Sequence, residues 1–386
     1  MLPSDYPMII QMVDLQRQYQ RLKQDIDAAM SEILQATSFI NGPAVELFAK
    51  ELADYNNAKH VIPCANGTDA LQLAMMALDL KPGDEVIVPA FTYVATAEVI
   101  ALLGLTPVFV DVYPDTFLIS VEEIEKNITP KTKAIVPVHL FGQCADMEGI
   151  MAIAQKHDIF VIEDTAQAIG ADYTFPDGTT RKAGTISHIG TTSFFPSKNL
   201  GCYGDGGALF VNDDALAIKL KMIANHGQRI KYHHDIVGVN SRLDTLQAAI
   251  LRVKLPQLND FSLRRSKSAA FYDAELKGFD AISIPARAQN TSHVFHQYTI
   301  KCNTFEREAL RSFLQVKGIP TMVYYPVPLH LQKAYTNYGY TQGDFPVSEQ
   351  LSAQVLSIPI HTEQTEEELQ YITDSIKEFL AANNLN

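Results

Sequence analysis

Four short apolar runs, EVIVP (Glu85 to Pro89), PVFVD (Pro107 to Asp111), KAIVPVHL (Lys133 to Leu140) and IFVIED (Ile159 to Asp164), recur about 22 to 26 residues apart. None alternates polar with apolar, so both faces of each are buried, as in parallel strands covered by helices. A parallel neighbour needs a crossover of a dozen or more residues, and the interval leaves room for one helix each time. The runs therefore specify an α/β fold with a mostly parallel, doubly wound sheet flanked by helices.

The rest of the chain is read around that sheet. Apolar residues at helical spacing predict a helix over Val13 to Thr37 and a second over Ala44 to Tyr55. After Asp164 a hairpin is expected around Pro176-Asp177-Gly178, then strands at Gly190 to Phe195 and Gly207 to Val211, then helices at Asp213 to His226 and Ser241 to Leu255. From Gln257 a long helix, a strand in FHQYTIKC and helices at Glu306 to Lys317 and Thr365 to Ala381 predict a smaller α+β part. The expected division is an N-terminal arm with a large α/β domain over 1–256 and a small C-terminal α+β domain over 257–386.

Composition narrows the function. The chain has 386 residues, 47% hydrophobic and 19% charged, with a formal charge of −13. Coating nucleic acid or lying on anionic lipid needs the opposite sign. Cys64, Cys144, Cys202 and Cys302 are far apart and form no metal-binding or disulfide pattern, so a reducing compartment is expected. The N-terminal stretch carries Asp5 and no Lys or Arg before Arg17, the wrong start for a signal peptide. The longest apolar stretch, Val94 to Leu105, contains Glu98 and falls well short of the roughly 20 residues that span a bilayer. These features predict a cytoplasmic protein.

In an open α/β sheet, ligands sit beyond the carboxyl ends of the strands. Asp164 ends one such strand, where a carboxylate is costly unless a cation faces it; alone, it would read as a turn cap. Lys198 follows a strand end at Ser193 to Phe195 and precedes a loop crowded with Gly201, Gly204, Gly206 and Gly207. Glycines let backbone approach a ligand, and a lysine anchored there by SFFP becomes a desolvated, reactive amine. Asn66-Gly67-Thr68 open an amphipathic helix whose free N–H groups suit a phosphate, although a threonine there is commonly only an N-cap. Tyr93, just past a strand, offers a flat ring. A phosphorylated pyridine aldehyde needs all four at once: a lysine for a Schiff base, an acid at the ring nitrogen, a phosphate cup that Ser193 completes, and a stacking face. No GxGxxG or GxxxxGK[ST] pattern supports a dinucleotide or nucleoside triphosphate instead.

The runs VIEDTAQAIGA, TTSFFPSKNLGCYGDGGA and YHHDIVGVNSRLDTLQAAIL resemble the signature blocks of the DegT group of nucleotide-sugar aminotransferases, which are fold-type I pyridoxal-phosphate enzymes. The likeness extends from VDLQRQYQRLK to SIPIHT; through CANGTDALQ, FTYVATAE, GQCADM and HGQRIKYHH it is greatest to the UDP-2-acetamido-2-deoxy-3-oxo-glucuronate aminotransferases. The resemblance implies pyridoxal 5'-phosphate as cofactor, with Lys198 as Schiff-base lysine and Asp164 as partner of the pyridine nitrogen. It implies Gln167 beside the pyridoxal hydroxyl, Tyr93 stacked on the ring, and Gly67, Thr68 and Ser193 around the phosphate. Asn240 would reach the phosphate, and Arg242 a substrate carboxylate, from the neighbouring subunit of a homodimer with shared active sites. The implied activity moves the amino group of L-glutamate to a 3-keto UDP-sugar, giving a 3-amino sugar for surface polysaccharide such as O-antigen.

One departure is Tyr324 before Tyr325-Pro326, where the glucuronate enzymes carry His; a dTDP-linked 3-oxo-6-deoxyhexose therefore stands as the alternative substrate. Arg229, within NHGQRIKYHH, is a candidate contact for an anionic nucleotide-sugar, weighed against a merely solvated basic loop. Tyr324, Tyr325 and His330 are candidate sugar contacts, and His330 and His361 equally suit local hydrogen bonds. Neighbouring His233 and His234 do not converge on one metal ion. A sugar dehydratase of this fold would carry His in place of Lys198, and a non-catalytic sugar-binding or regulatory relative would have lost Lys198 or Asp164.

Overall fold

A computed structural model describes residues 10–385; Asp5, on which the reading of the N-terminal stretch partly rests, lies outside them. Strands follow in chain order: β1 His60–Cys64, β2 Glu85–Pro89, β3 Thr106–Val110, β4 Thr132–Ile135, β5 Phe160–Asp164, β6 Asp172–Thr174, β7 Thr180–Lys182, β8 Ile189–Ser193 and β9 Gly207–Val211. After these come β10 Gln228–Ile230, β11 His233–His234, β12 Ile282–Ser283, β13 Tyr298–Cys302 and β14 Val355–Ile358. Seven strands form the central sheet in the order β1-β9-β8-β5-β4-β2-β3. Every pairing from β3 through to β8 is parallel, and β9 runs antiparallel to both of its neighbours.

The apolar runs account for this. All residues of β8 and β9 are buried, as are four of the five in β2 and in β5. Helices α1 Leu15–Ala36, α2 Pro43–Asn56, α3 Gly67–Ala77 and α4 Ala95–Leu102 begin the flanking layers. One core cluster joins α3, α4 and the helix Asp214–Ala224 to one sheet face, and a second places the helix Met147–His157 against the other. No helix among the described residues is long and apolar enough to cross a membrane.

Three local expectations need correction. The run Lys133 to Leu140 is a strand only over β4, because Pro137 has no N–H for a ladder; the chain then bends through a short 3₁₀ turn at Leu140–Gly142. Strand β1 was not expected, since His60 and Pro63 interrupt its apolar pattern. The helix expected over Ser241 to Leu255 starts only at Thr245 and ends at Lys254, where a 3₁₀ turn at Leu255–Gln257 leads directly into Leu258–Leu276.

In the C-terminal part β12, β13 and β14 make an antiparallel sheet covered by Leu258–Leu276, Arg307–Val316 and Glu366–Ala382, with its own core cluster, which Ile10 joins. Two ties fasten this part to the central sheet. Asp111 caps the helix Pro346–Gln354 by accepting from the Val347 and Ser348 N–H groups and the Ser348 hydroxyl. The Leu329 N–H donates to the Ala90 carbonyl just past β2. The segment carrying Tyr324 and Tyr325 is thereby held near the carboxyl ends of the parallel strands.

Candidate active site

The carboxyl ends of β1 and β8 and the start of β9 meet, with Cys64 and Ser193 both registered on Gly207. Gly207 has to be glycine, since a Cβ there would lie 2.5 Å from the Asn66 backbone. The same crowding applies at Gly67, where a Cβ would fall 2.7 Å from that of Ser193. Asn66 caps α3 by accepting from the Asp69 N–H at 2.8 Å. The N–H groups of Gly67 and Thr68, in the first turn, have no partner within the helix and form the positive end of its dipole.

Beyond these ends lies a cavity of about 650 Å³. It brings together Gly67, Thr68, Tyr93, Asp164, Gln167, Ser193, Lys198, Tyr324 and Tyr325, nine of the residues singled out in the sequence. Asp164 is 7% exposed at the end of β5 and accepts from the Ala166 N–H at 3.0 Å and the Thr96 hydroxyl at 3.2 Å. Burial raises its pKa, against those two hydrogen bonds and the charge of Lys198. A carboxylate has about four acceptor positions, so Asp164 keeps capacity for a further donor. Gln167 bridges two elements: its Oε1 accepts from the Phe141 N–H at 2.7 Å and its Nε2 donates to the Tyr325 hydroxyl at 3.1 Å.

Lys198 leaves the sheet on a tight turn, its N–H donating to the Phe195 carbonyl at 2.8 Å. Half-buried, it lines the cavity. Desolvation lowers its pKa from 10.5 to about 8, with the Asp164 charge pulling the other way. The site thus holds an amine that gives up its proton more readily than an exposed lysine, beside a buried carboxylate and a helix N-terminus. Tyr93 is 56% exposed, and its ring centroid lies 6.1 Å from that of Tyr325.

Four expected contacts lie elsewhere. Arg229, in β10, and Asn240 are exposed, and Arg242 is half-buried; none lines this cavity. Asn240 and Arg242 are nonetheless anchored close by, since Ser241, between them, accepts from the Ala65 N–H at 3.1 Å just before α3. His330 is buried outside the cavity, its Nε2 3.0 Å from Glu349. His361 is likewise buried in the C-terminal part.

The sequence reading missed Thr96, Asp205, His296 and Gln297, which line or support the cavity. Thr96 is the second residue of α4, and only the folded chain brings it to Asp164. Asp205 lies inside the glycine-rich run and was legible there as the one acid between Gly204 and Gly206.

Comparison with known proteins agrees with this geometry. The chain is 47% identical over 374 residues to the pleiotropic regulatory protein of Geobacillus stearothermophilus, covering 96% of this chain and 99% of that one. It is 48% identical over 353 residues to the UDP-2-acetamido-2-deoxy-3-oxo-D-glucuronate aminotransferase of Pseudomonas aeruginosa, covering 92% and 95%. The crystal structure of DesV from S. venezuelae in complex with a ketimine intermediate superposes with a TM-score of 0.93 at 40% identity, covering 97% and 99%. The DegT/DnrJ/EryC1/StrS aminotransferase family matches residues 20–377, so the chain, with its fold-type I sheet and its lysine beside a buried aspartate, belongs to that family.

Proposed function

We propose that this aminotransferase uses pyridoxal 5'-phosphate to move the amino group of L-glutamate to the 3-keto carbon of UDP-2-acetamido-2-deoxy-3-oxo-glucuronate, giving a 3-amino sugar for surface polysaccharide. The observation that carries the reading is the desolvated Lys198 amine lining one cavity with Asp164 and the N-terminus of α3. The residues fit the cofactor. Spare acceptor capacity on Asp164 suits a protonated ring nitrogen, the Gly67 and Thr68 N–H groups with Ser193 suit a phosphate, and the exposed Tyr93 ring suits a pyridine face.

When bound, the cofactor supplies an electron sink for the carbon that loses its proton. The protein does the rest. Lys198 Nζ, its proton held less tightly than in an exposed lysine, would take the proton from the donor carbon and deliver it to the cofactor carbon that receives the nitrogen. Asp164 holds the proton on the ring nitrogen. Gln167 orients the pyridoxal hydroxyl and, through its hydrogen bond, the Tyr325 phenol, which with Tyr324 faces the sugar. His330, in the turn a few residues further on, is tied through Glu349 to the helix Pro346–Gln354.

We further propose a homodimer in which Asn240, Arg229 and Arg242 enter the partner's site. Among the described residues lining the cavity, Lys198 is the one Lys or Arg, against Asp69, Asp164 and Asp205. Phosphate, nucleotide and glutamate are all anionic, so a cation from a second copy supplies what one chain lacks. Exposed Ile230, Tyr232 and Val237 beside Arg229 suit such a contact. The division at 256/257 and a cytoplasmic location complete the reading.

The test is transamination with glutamate as donor, offering UDP-linked 3-oxo-glucuronate and a dTDP-linked 3-oxo-6-deoxyhexose side by side. Turnover of the uncharged sugar alone favours the second reading, for which Tyr324 speaks. Lys198→Ala should fold but neither take on the cofactor absorbance nor transaminate. Mixing inactive Lys198→Ala with inactive Arg242→Ala should restore activity in the shared sites. A purely regulatory role, as one relative's name suggests, predicts a colourless protein even with added cofactor.

A further inference from the structure

Lys254 is the most deeply buried lysine, 1% exposed at the last position of the helix Thr245–Lys254. Its Nζ donates to the Gly201 carbonyl at 2.8 Å and lies 4.3 Å from the centroid of the Tyr203 ring. No carboxylate pairs with it among the described residues, and burying an unpaired ammonium is costly. A residue that only filled this space would be better uncharged, so the cation itself needs a reason.

The reason lies in what it holds. Gly201 is pressed against Pro196, where a Cβ would sit 2.3 Å from the Pro196 carbonyl oxygen, so fixing the Gly201 carbonyl also fixes the turn that carries Lys198. The same helix grips the next residue but one. Gln247 Oε1 accepts from the Tyr203 N–H at 2.8 Å, and its Nε2 donates to the Tyr203 carbonyl at 3.4 Å. On the sheet side the loop is closed by the Phe194 N–H to the Gly206 carbonyl at 2.7 Å and the Cys202 N–H to the Phe194 carbonyl at 2.8 Å.

We propose that Lys254 is a positioning residue for the transamination reaction: its ammonium clamps the Gly201 carbonyl and the Tyr203 ring, and so sets the Lys198 turn relative to Asp164. The inference rests on the aminotransferase reading above. The titratable groups facing Lys254 are the Cys202 thiol and the Tyr203 phenol, which burial pushes up to about 11 and about 12, so both are neutral there. Burial also holds the Lys254 amine down at about 8, with the Cys202 thiol pulling the other way, which leaves the clamp mostly charged at neutral pH.

The experiment compares wild-type, Lys254→Met and Lys254→Arg holoenzymes in the glutamate half-reaction, followed by the loss of cofactor absorbance over a range of glutamate concentrations. Lys254→Met is expected to lower the limiting rate constant about tenfold or more, the usual cost of a displaced catalytic group, with half-saturating glutamate little changed. Lys254→Arg, which keeps a charged donor, should recover most of the loss. A second readout does not depend on turnover: in the cofactor-free chain, acetylation of Lys198 by a small anhydride, mapped by mass spectrometry, should change in Lys254→Met and return in Lys254→Arg. A limiting rate constant in Lys254→Met equal to wild type, or Lys254→Arg no better than Lys254→Met, overturns the proposal. If Lys254→Met does not fold, Lys254→Gln replaces it in the same comparison. Failure of the wild type to react with glutamate would instead sink the aminotransferase reading, and the Lys198 labelling would then decide the clamp alone.

Discussion

Lys198→Met in the cofactor-free chain should make the protein more stable at neutral pH. The amine releases its proton at about 8 in the fold against 10.5 in the unfolded chain. At about 1.4 kcal/mol for each tenfold change, a protonated Lys198 costs the folded state up to roughly 3 kcal/mol. Methionine keeps most of the aliphatic stem and loses the charge, so the gain should appear as a rise of roughly 3 to 6 °C in Tm at pH 7. The pH dependence carries the sign. Below about 8 both states of the wild type hold the proton and the penalty is complete. Between about 8 and 10.5 the unfolded chain binds more protons than the folded one, so wild-type stability climbs with pH and the variant's advantage shrinks. Lys254 titrates in a similar range but is common to both proteins, so it cancels in the difference. Thermal unfolding at pH 7, 9 and 10.5 measures this directly. A variant that melts at or below wild type at pH 7, or that keeps its full advantage at pH 10.5, would refute desolvation as the cause of the lowered amine.

Two further substitutions separate packing from chemistry. Gly67→Ala places a methyl 2.7 Å from the Ser193 Cβ, and should lower stability by about 1–3 kcal/mol and weaken cofactor retention on dialysis, because the first turn of α3 moves away from β8. Tyr93→Ala, at a residue 56% exposed, should change stability by no more than about 0.5 kcal/mol while weakening cofactor retention; urea unfolding and absorbance after dialysis check both.

What could be read from the sequence was what is local. Strands β2, β5 and β8 are unbroken apolar runs, and Lys198, Asp164 and Gly67 each follow a strand or open a helix, so their positions were fixed by neighbours in the chain. Strand β1 was hidden because its burial depends on pairing with β9, which follows it by more than a hundred residues, and not on its own pattern. The end of β4 was overrun because the backbone beyond Ile135 still pairs with β5, through an isolated bridge between Val138 and Asp164, while Pro137 breaks the continuous ladder and gives only its carbonyl, to the Asp164 N–H. The partners of the site residues were out of reach for the same reason. The Thr96 hydroxyl on Asp164 and the Phe141 N–H on Gln167 join separate elements. Such contacts have no periodicity to betray them.

Glu163 and Asp164 adjoin at the end of β5, and their opposite surroundings predict opposite mutants. Glu163 is wholly buried, yet its carboxylate accepts from the N–H groups of Gly184, Ile186 and Ser187 at 2.8 to 2.9 Å and lies 3.0 Å from His139 Nε2. His139 Nδ1 accepts from the Ala145 N–H, which leaves Nε2 as the donor to Glu163. Burial pushes the Glu163 pKa up, but His139 and those N–H groups outweigh it and the net shift is downward. Asp164 has two donors and a net shift upward. Ionised Glu163 therefore stabilises the fold at pH values above 4.5, and that contribution is lost as pH falls through its lower folded value. Ionised Asp164 opposes the cofactor-free fold, a penalty absent below 3.8 and complete once pH passes its higher folded value. Glu163→Gln turns an NH₂ toward backbone donors and should cost about 3–5 kcal/mol, as when a buried charge network loses one member. Asp164→Asn keeps an acceptor for the Ala166 N–H and should leave the cofactor-free chain as stable as wild type or more so, while transamination collapses because the ring nitrogen loses its proton's partner. Urea unfolding and the glutamate half-reaction, run on both variants, decide it: a tolerant Glu163→Gln, or an Asp164→Asn that unfolds, would mean the two carboxylates have been assigned the wrong way round.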